Sequence, residues 1–196
     1  LEETRAGVRY LRMNRPESKN ALSNDLIRAL IAGLAAANDD PAVRVVVVTG
    51  EGGAFCSGAD LGPRKPGDPP PDSVEATTDL VVRLVKGMRV DCEKPVVAGV
   101  DGIAIGAGLS LAMCADMRMA SARARFHPGY ARVGTSPDAG LSWTLPALLG
   151  HEQAMRFFLR PSWHDAEAAL ALGLVGEVVE PERFDEALHA FCEEIG

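Results

Sequence analysis

Residues 43–49 read Val-Arg-Val-Val-Val-Val-Thr, a run that is β-branched and almost wholly apolar. Such a run has no polar side to turn to water, so it marks a strand buried on both faces. Gly50, Gly52 and Gly53 end it. Pro95 opens a second strand of the same kind, Val96 to Val100, which breaks at Asp101-Gly102. Strands buried on both faces need helices above and below, and the chain supplies them. Ser23 is an N-cap, with Leu22 and Ile27 able to staple across it. Leu26, Ile27, Leu30, Ile31 and Leu34 then recur at helical spacing. Val8 to Asn14 and Val175 to Val179 read as further strands, and Met117 to Ala120 as a short one. Helical patterns cover Leu80–Met88, Gly106–Cys114, 142–160, 165–172 and 183–195. The order β-α-β-α-β-α, followed by helices, indicates an α/β layered fold with no internal repeat.

A chain of 196 residues holds one domain plus at most a small appendage. With 20 Lys+Arg against 27 Asp+Glu, its net charge of −7 argues against nucleic acid as the main partner. No apolar run approaches the roughly 18 residues a membrane span needs. No N-terminal stretch has the layout of a signal peptide, although the chain opens at Leu1 rather than Met. The cysteines at 56, 92, 114 and 192 form no C-x-x-C pair, and the four histidines form no H-E-x-x-H. Free thiols in a reducing cytoplasm and no metal are the expectations. The stretch Gly62 to Asp72 has five prolines and two glycines in eleven residues. It reads as an exposed loop or lid, in which Arg64 and Lys65 are taken as solvated rather than as phosphate ligands.

Two segments have the character of a ligand site. Ala54-Phe55-Cys56-Ser57-Gly58-Ala59-Asp60-Leu61 follows the first buried strand. Asp101-Gly102-Ile103-Ala104-Ile105-Gly106-Ala107-Gly108 follows the second and enters a helix. Small residues let backbone N–H groups approach a ligand, and a helix N-terminus adds partial positive charge. Two such donors converging on one point make an oxyanion hole. Tight packing alone would also account for the glycines. Neither segment completes a phosphate-binding loop motif.

These segments also carry a resemblance. With Asn14-Arg15-Pro16, Asn20-Ala21-Leu22, Val47-Val48-Thr49-Gly50, Lys94-Pro95-Val96, Asp138-Ala139-Gly140 and Leu145-Pro146, they are similar, in order over nearly the whole chain, to the enoyl-CoA hydratase/isomerase (crotonase) family. The resemblance implies a spiral of β-β-α units with a core over residues 1–182. It implies an acyl-CoA thioester as substrate, with coenzyme A only as part of that substrate and no other cofactor. It places the N–H groups of Ala59 and Ala107 on the thioester oxygen, and Ala59, Asp60, Leu61 and Gly62 along the substrate path. It also implies a homotrimer or hexamer, with residues 183–196 opening a C-terminal helical oligomerisation region that continues in the family past Gly196. Phe184, Leu188, Phe191 and Ile195 fall on one helix face, which suits burial against a partner.

The side chains depart from the hydratase pattern. Family hydratases carry two glutamates; the matching positions here hold Ser110 and Tyr130. Adding water to a double bond needs a base and an acid, each worth about 10²–10⁴-fold, so the standard hydratase chemistry is in doubt. One acid remains nearby. Asp138, in Gly134-Thr135-Ser136-Pro137-Asp138-Ala139-Gly140, resembles the acid of the family's isomerase branch, which moves a proton between two carbons. Its other reading is a turn or helix cap. Tyr130 and His127 could hydrogen-bond the substrate or orient Asp138, with packing the plainer role for His127, and Ser110 is a further substrate-contact candidate. The alternatives are an atypical hydratase, a non-catalytic acyl-CoA binder, and a serine thioester hydrolase built on Ser110, Asp138 and His151.

Overall fold

The computed structural model describes residues 1–62 and 72–196. Positions 63–71 of the proline-rich stretch, with Arg64 and Lys65, lie outside the described residues. In chain order the elements are β1 (Glu2–Arg5), β2 (Val8–Met13), α1 (Asn24–Asp39), β3 (Val45–Gly50), α2 (Val74–Lys86), β4 (Val96–Val100), β5 (Ile103–Ile105) and α3 (Ala107–Cys114). There follow β6 (Met117–Ser121), β7 (Arg125–His127), α4 (Leu141–Leu149), α5 (His151–Leu159), β8 (His164–Asp165), α6 (Ala166–Leu172), β9 (Glu177–Val179) and α7 (Phe184–Ile195).

A six-stranded sheet runs in the order β1-β2-β3-β4-β6-β9. Apart from the antiparallel β1–β2 hairpin it is parallel, with Val8 opposite Val45, Val46 opposite Val96 and Val97 opposite Met117. The valine run of β3 shows why its sequence lacks alternation. Val46 and Val48 enter one core with Leu34, Leu84 and Leu109. Val45 and Val47 enter a second core on the opposite face, with Phe184, Leu188 and Cys192 of α7. Both faces are dry, as the run of valines predicts.

That second core corrects the expectation for the C-terminal segment. The face of α7 carrying Phe184 and Leu188 is not left over for a partner; it covers the chain's own sheet beside Val8, Tyr10 and Met119, with Phe191 and Ile195 packed at its edge. The helix is anchored there by a 2.9 Å hydrogen bond between the Tyr10 hydroxyl and His189 Nδ1. Helix α2 starts at Val74, ahead of the expected Leu80, because the Ser73 hydroxyl caps it by accepting from the Ala76 amide. Its end widens into a π turn over Gly87–Asp91. The expected 142–160 helix is two, broken at Gly150, whose φ of 77° lies in the left-handed region. No helix among the described residues is long and apolar enough to cross a membrane.

A second sheet, β5-β7-β8, has strands of only two or three residues. It positions the site. The Cys56 amide donates to Ile103 O at 2.9 Å and the Ile105 amide to Cys56 O at 3.0 Å, so the segment after β3 runs beside β5 and reaches the start of α3.

Candidate active site

The two glycine-containing segments meet backbone to backbone. Gly58 has φ +100°, and a Cβ there would stand 2.8 Å from Ile105 O and 3.5 Å from the Ala107 amide nitrogen. A Cβ on Gly108 would collide with Cys56 O. Only glycine permits this approach, which brings Ala59 and Ala107 onto the wall of one cavity.

A third segment fixes the register. The Leu22 amide donates to Gly58 O (2.8 Å) and the Asp60 amide to Leu22 O (3.2 Å), a parallel bridge that passes over the Ala59 N–H. The Ala107 N–H is an orphan donor of the first helical turn. Among the described residues neither amide donates an internal hydrogen bond. The turn that delivers Leu22 hangs on Asn20, which is fully buried. Its side-chain amide donates to Glu51 O (2.9 Å) and Ala54 O (2.7 Å), while its carbonyl accepts from the Arg15 amide (2.8 Å). Asn20 stood in the sequence as part of a motif with no role attached; a buried amide at φ 57° is what it supplies.

The cavity has a volume of about 140 Å³ and opens between α1, α2 and α3. Besides Ala59, Ala107 and Asp138 its wall includes Leu22, Ile27, Val81, Leu84, Val85, Met88 and Leu111, with Asn24, Thr77 and Cys114 as its other hydrogen-bonding side chains. Asn24, Thr77 and Met88 carried no signal in the sequence, because what makes them lining residues is the packing of α2 on α1.

Behind the wall lies a chain of three side chains. Ser110 Oγ and Tyr130 Oη are 2.6 Å apart, and the Tyr130 hydroxyl donates to Asp138 Oδ1, also at 2.6 Å. The tyrosine proton is committed to Asp138, so Ser110 is the donor in the first link. Burial, and after it the hydrogen bond to Asp138, raises the Tyr130 phenol far above its ordinary value. It stays protonated and holds one carboxylate oxygen, while Asp138 Oδ2 accepts no hydrogen bond among the described residues.

The remaining sequence candidates fall elsewhere. Ser110 and His127, expected as substrate contacts, do not line the cavity. Ser110 is the fourth residue of α3, fully buried and turned to Tyr130. His127 is drawn to Trp163, with ring centroids 5.0 Å apart, and burial followed by the Arg132 charge lowers its basicity. Asp60 binds Arg15 at 2.8 Å, an interaction that holds its carboxyl below the usual range. Leu61 and Gly62 are exposed, Leu61 by 80%. A nucleophile elbow is absent here: Ser110 sits inside a helix rather than at a strand-to-helix turn, and its hydroxyl contacts Tyr130 and Gly106 O, with no histidine among its partners in the described residues.

The enoyl-CoA hydratase/isomerase family model matches residues 3–196. The chain belongs to this family. As a family member it is 36% identical over 183 residues to a crotonyl-CoA hydratase of Syntrophomonas wolfei, covering 92% of this chain and 68% of the relative. It is 34% identical over 187 residues to the 1,2-epoxyphenylacetyl-CoA isomerase of Escherichia coli, covering 93% and 70%. Among solved structures it is similar to Pseudomonas aeruginosa PA4980, with 41% identity, a TM-score of 0.90 and coverage of all this chain and 83% of the other. An enoyl-CoA hydratase from Polaromonas sp. JS666 gives 31% identity and a TM-score of 0.88 over all of this chain and 76% of that one. Both hydratase and isomerase stand among these names, so the choice of reaction rests on the chain's own side chains. In this enoyl-CoA hydratase/isomerase family member Asp138 is the one carboxylate on the cavity wall among the described residues.

Proposed function

We propose that the chain is an acyl-CoA-transforming enzyme that stabilises a thioester enolate and shifts a carbon–carbon double bond by a proton shuttle on Asp138. Ala59 and Ala107 are the oxyanion donors in this reading. Among the described residues their amides have no internal partner and both residues line one cavity, and each such donor is worth about 2.7–4 kcal/mol where charge develops. Asp138 takes a proton from one carbon of the bound enoyl thioester, leaving the electron pair delocalised onto the thioester oxygen. It then returns the same proton to a second carbon, so nothing enters or leaves the site.

The observation that supports an isomerase over a hydratase is the pairing of Asp138 with Tyr130. Hydration needs two groups to activate water and protonate carbon. Tyr130 is held protonated and spends its proton on Asp138 Oδ1, which leaves one base, Oδ2. A single base suffices for a transfer that begins and ends on carbon. The hydratase names among the relatives favour the second reading, an atypical hydratase. The family resemblance adds a cytoplasmic homotrimer or hexamer to the proposal, which sedimentation tests.

Incubating 3-enoyl and 2-enoyl thioesters with the protein in deuterium oxide separates the two readings. An isomerase interconverts them with partial retention of the original hydrogen, and Asp138→Asn loses about 10²–10⁴-fold in kcat. Appearance of 3-hydroxyacyl product at a comparable rate overturns the isomerase assignment.

A further inference from the structure

The cavity that holds Ala59, Ala107 and Asp138 carries information about the acyl group itself. Leu22 and Ile27 form one side, and Val81, Leu84, Val85 and Met88 the other, all of them aliphatic. The α2 residues recur at helical spacing, so they form one stripe along the helix. Val81 and Val85 along it are half-buried, while Leu84, 5% exposed, and Met88, 2% exposed, are buried. Met88, the last residue of the stripe, lines the cavity and is itself buried. Of the other polar lining residues, the Asn24 side-chain amide donates to Thr77 Oγ1 (3.2 Å) and to Asp72 Oδ2 (2.6 Å), and Cys114 Sγ donates to Ala139 O (3.3 Å). The cavity volume is about 140 Å³. A dry aliphatic cavity of about 150 Å³ admits one benzene molecule.

We infer that the substrate is the thioester of a compact apolar acyl group, about the size of one six-membered carbon ring or a six-carbon chain, seated against Val85 and Met88. The inference rests on the thioester reading above. Long fatty-acyl chains run into Met88, and acyl groups bearing hydroxyls on their far carbons meet the aliphatic side chains of Val85 and Met88 there.

Equilibrium binding of saturated, unreactive CoA thioesters tests this without turnover, so it stands or falls apart from the isomerase assignment. A buried methylene is worth about fourfold in affinity. Hexanoyl-CoA and cyclohexylacetyl-CoA are expected to bind at least tenfold more tightly than acetyl-CoA, and dodecanoyl-CoA no more tightly than hexanoyl-CoA. Val85→Phe fills the cavity and is expected to lower the hexanoyl-over-acetyl affinity ratio by tenfold or more. Met88→Ala moves the optimum to longer chains, with its fold checked by circular dichroism. Should Met88→Ala fail to fold, Val85→Phe alone decides. Tighter binding of dodecanoyl-CoA than of hexanoyl-CoA, or an unchanged length profile in Val85→Phe, overturns the acyl-size inference. Failure of every thioester to bind overturns the thioester reading beneath it.

Discussion

Asp138 presents a carboxylate of which one oxygen is already taken: the Tyr130 hydroxyl donates to Oδ1 at 2.6 Å. Tyr130 is in turn held by Ser110, so the residues standing where two hydratase glutamates are expected are wired together behind a third position. In the proposed function this pair supports Asp138 as the base.

Tyr130→Phe keeps the ring and its packing but removes the donor. It is expected to lower kcat by about tenfold to a hundredfold with KM nearly unchanged, since a mis-set base affects the chemical step. Stability falls by about 1–3 kcal/mol, because Ser110 loses its better acceptor. Parallel kinetics and urea unfolding check this. A KM effect without a kcat effect would make Tyr130 a wall residue instead.

Ala107 occupies the first helical position of α3, where an N–H is not needed by the helix and proline is accepted. Ala107→Pro therefore deletes the proposed oxyanion donor with little structural change. We expect kcat to drop about 10²–10³-fold with Tm within a few degrees of the parent. An active Ala107→Pro protein would remove this amide from the catalytic scheme.

Asn20→Ala leaves the carbonyls of Glu51 and Ala54 and the Arg15 amide without their buried partner. A cost of about 2–3 kcal/mol follows from the unsatisfied groups, and Tm should fall by about 4–12 °C for a chain of this size. Activity should fall with it, because the same turn seats Leu22 against Gly58 and Asp60.

Acid weakens the fold before it reaches the carboxylates. Burial lowers both His127 and His164 below the ordinary imidazole value. The unfolded chain thus binds protons first, and the stability these residues contribute is complete above about pH 6.5 and lost as pH falls below it. Calorimetry should show Tm declining between about pH 7 and 5, and declining less in a His127→Phe/His164→Phe protein. Asp60 and Asp101, both lowered by their arginine partners, add their loss only at more acidic pH.

The parallel sheet was legible because its strands have no wet face: Val45–Val48 and Val96–Val100 could be nothing else. β1 was not, since all four of its residues are exposed and its only support is the ladder to β2. The small sheet escaped as well; strands of two or three residues carry no period and exist through their neighbours. At the site, the glycines mark two segments whose backbones can approach a ligand, and the family resemblance picks out Ala59 and Ala107 within them. The link of Ser110 to Tyr130, 20 positions apart, and the burial that fixes the phenol's proton are tertiary facts. The face of α7 was seen as apolar and given the wrong occupant, because helical periodicity shows that a surface is to be covered and not by what.

That helix has a bearing on how the protein is made. Val45, Val47 and Val97 are synthesised early, yet their cover, Phe184 and Leu188, is made long after them. Until α7 emerges, one side of the valine ladder stays uncovered, an apolar surface open to the wrong neighbour.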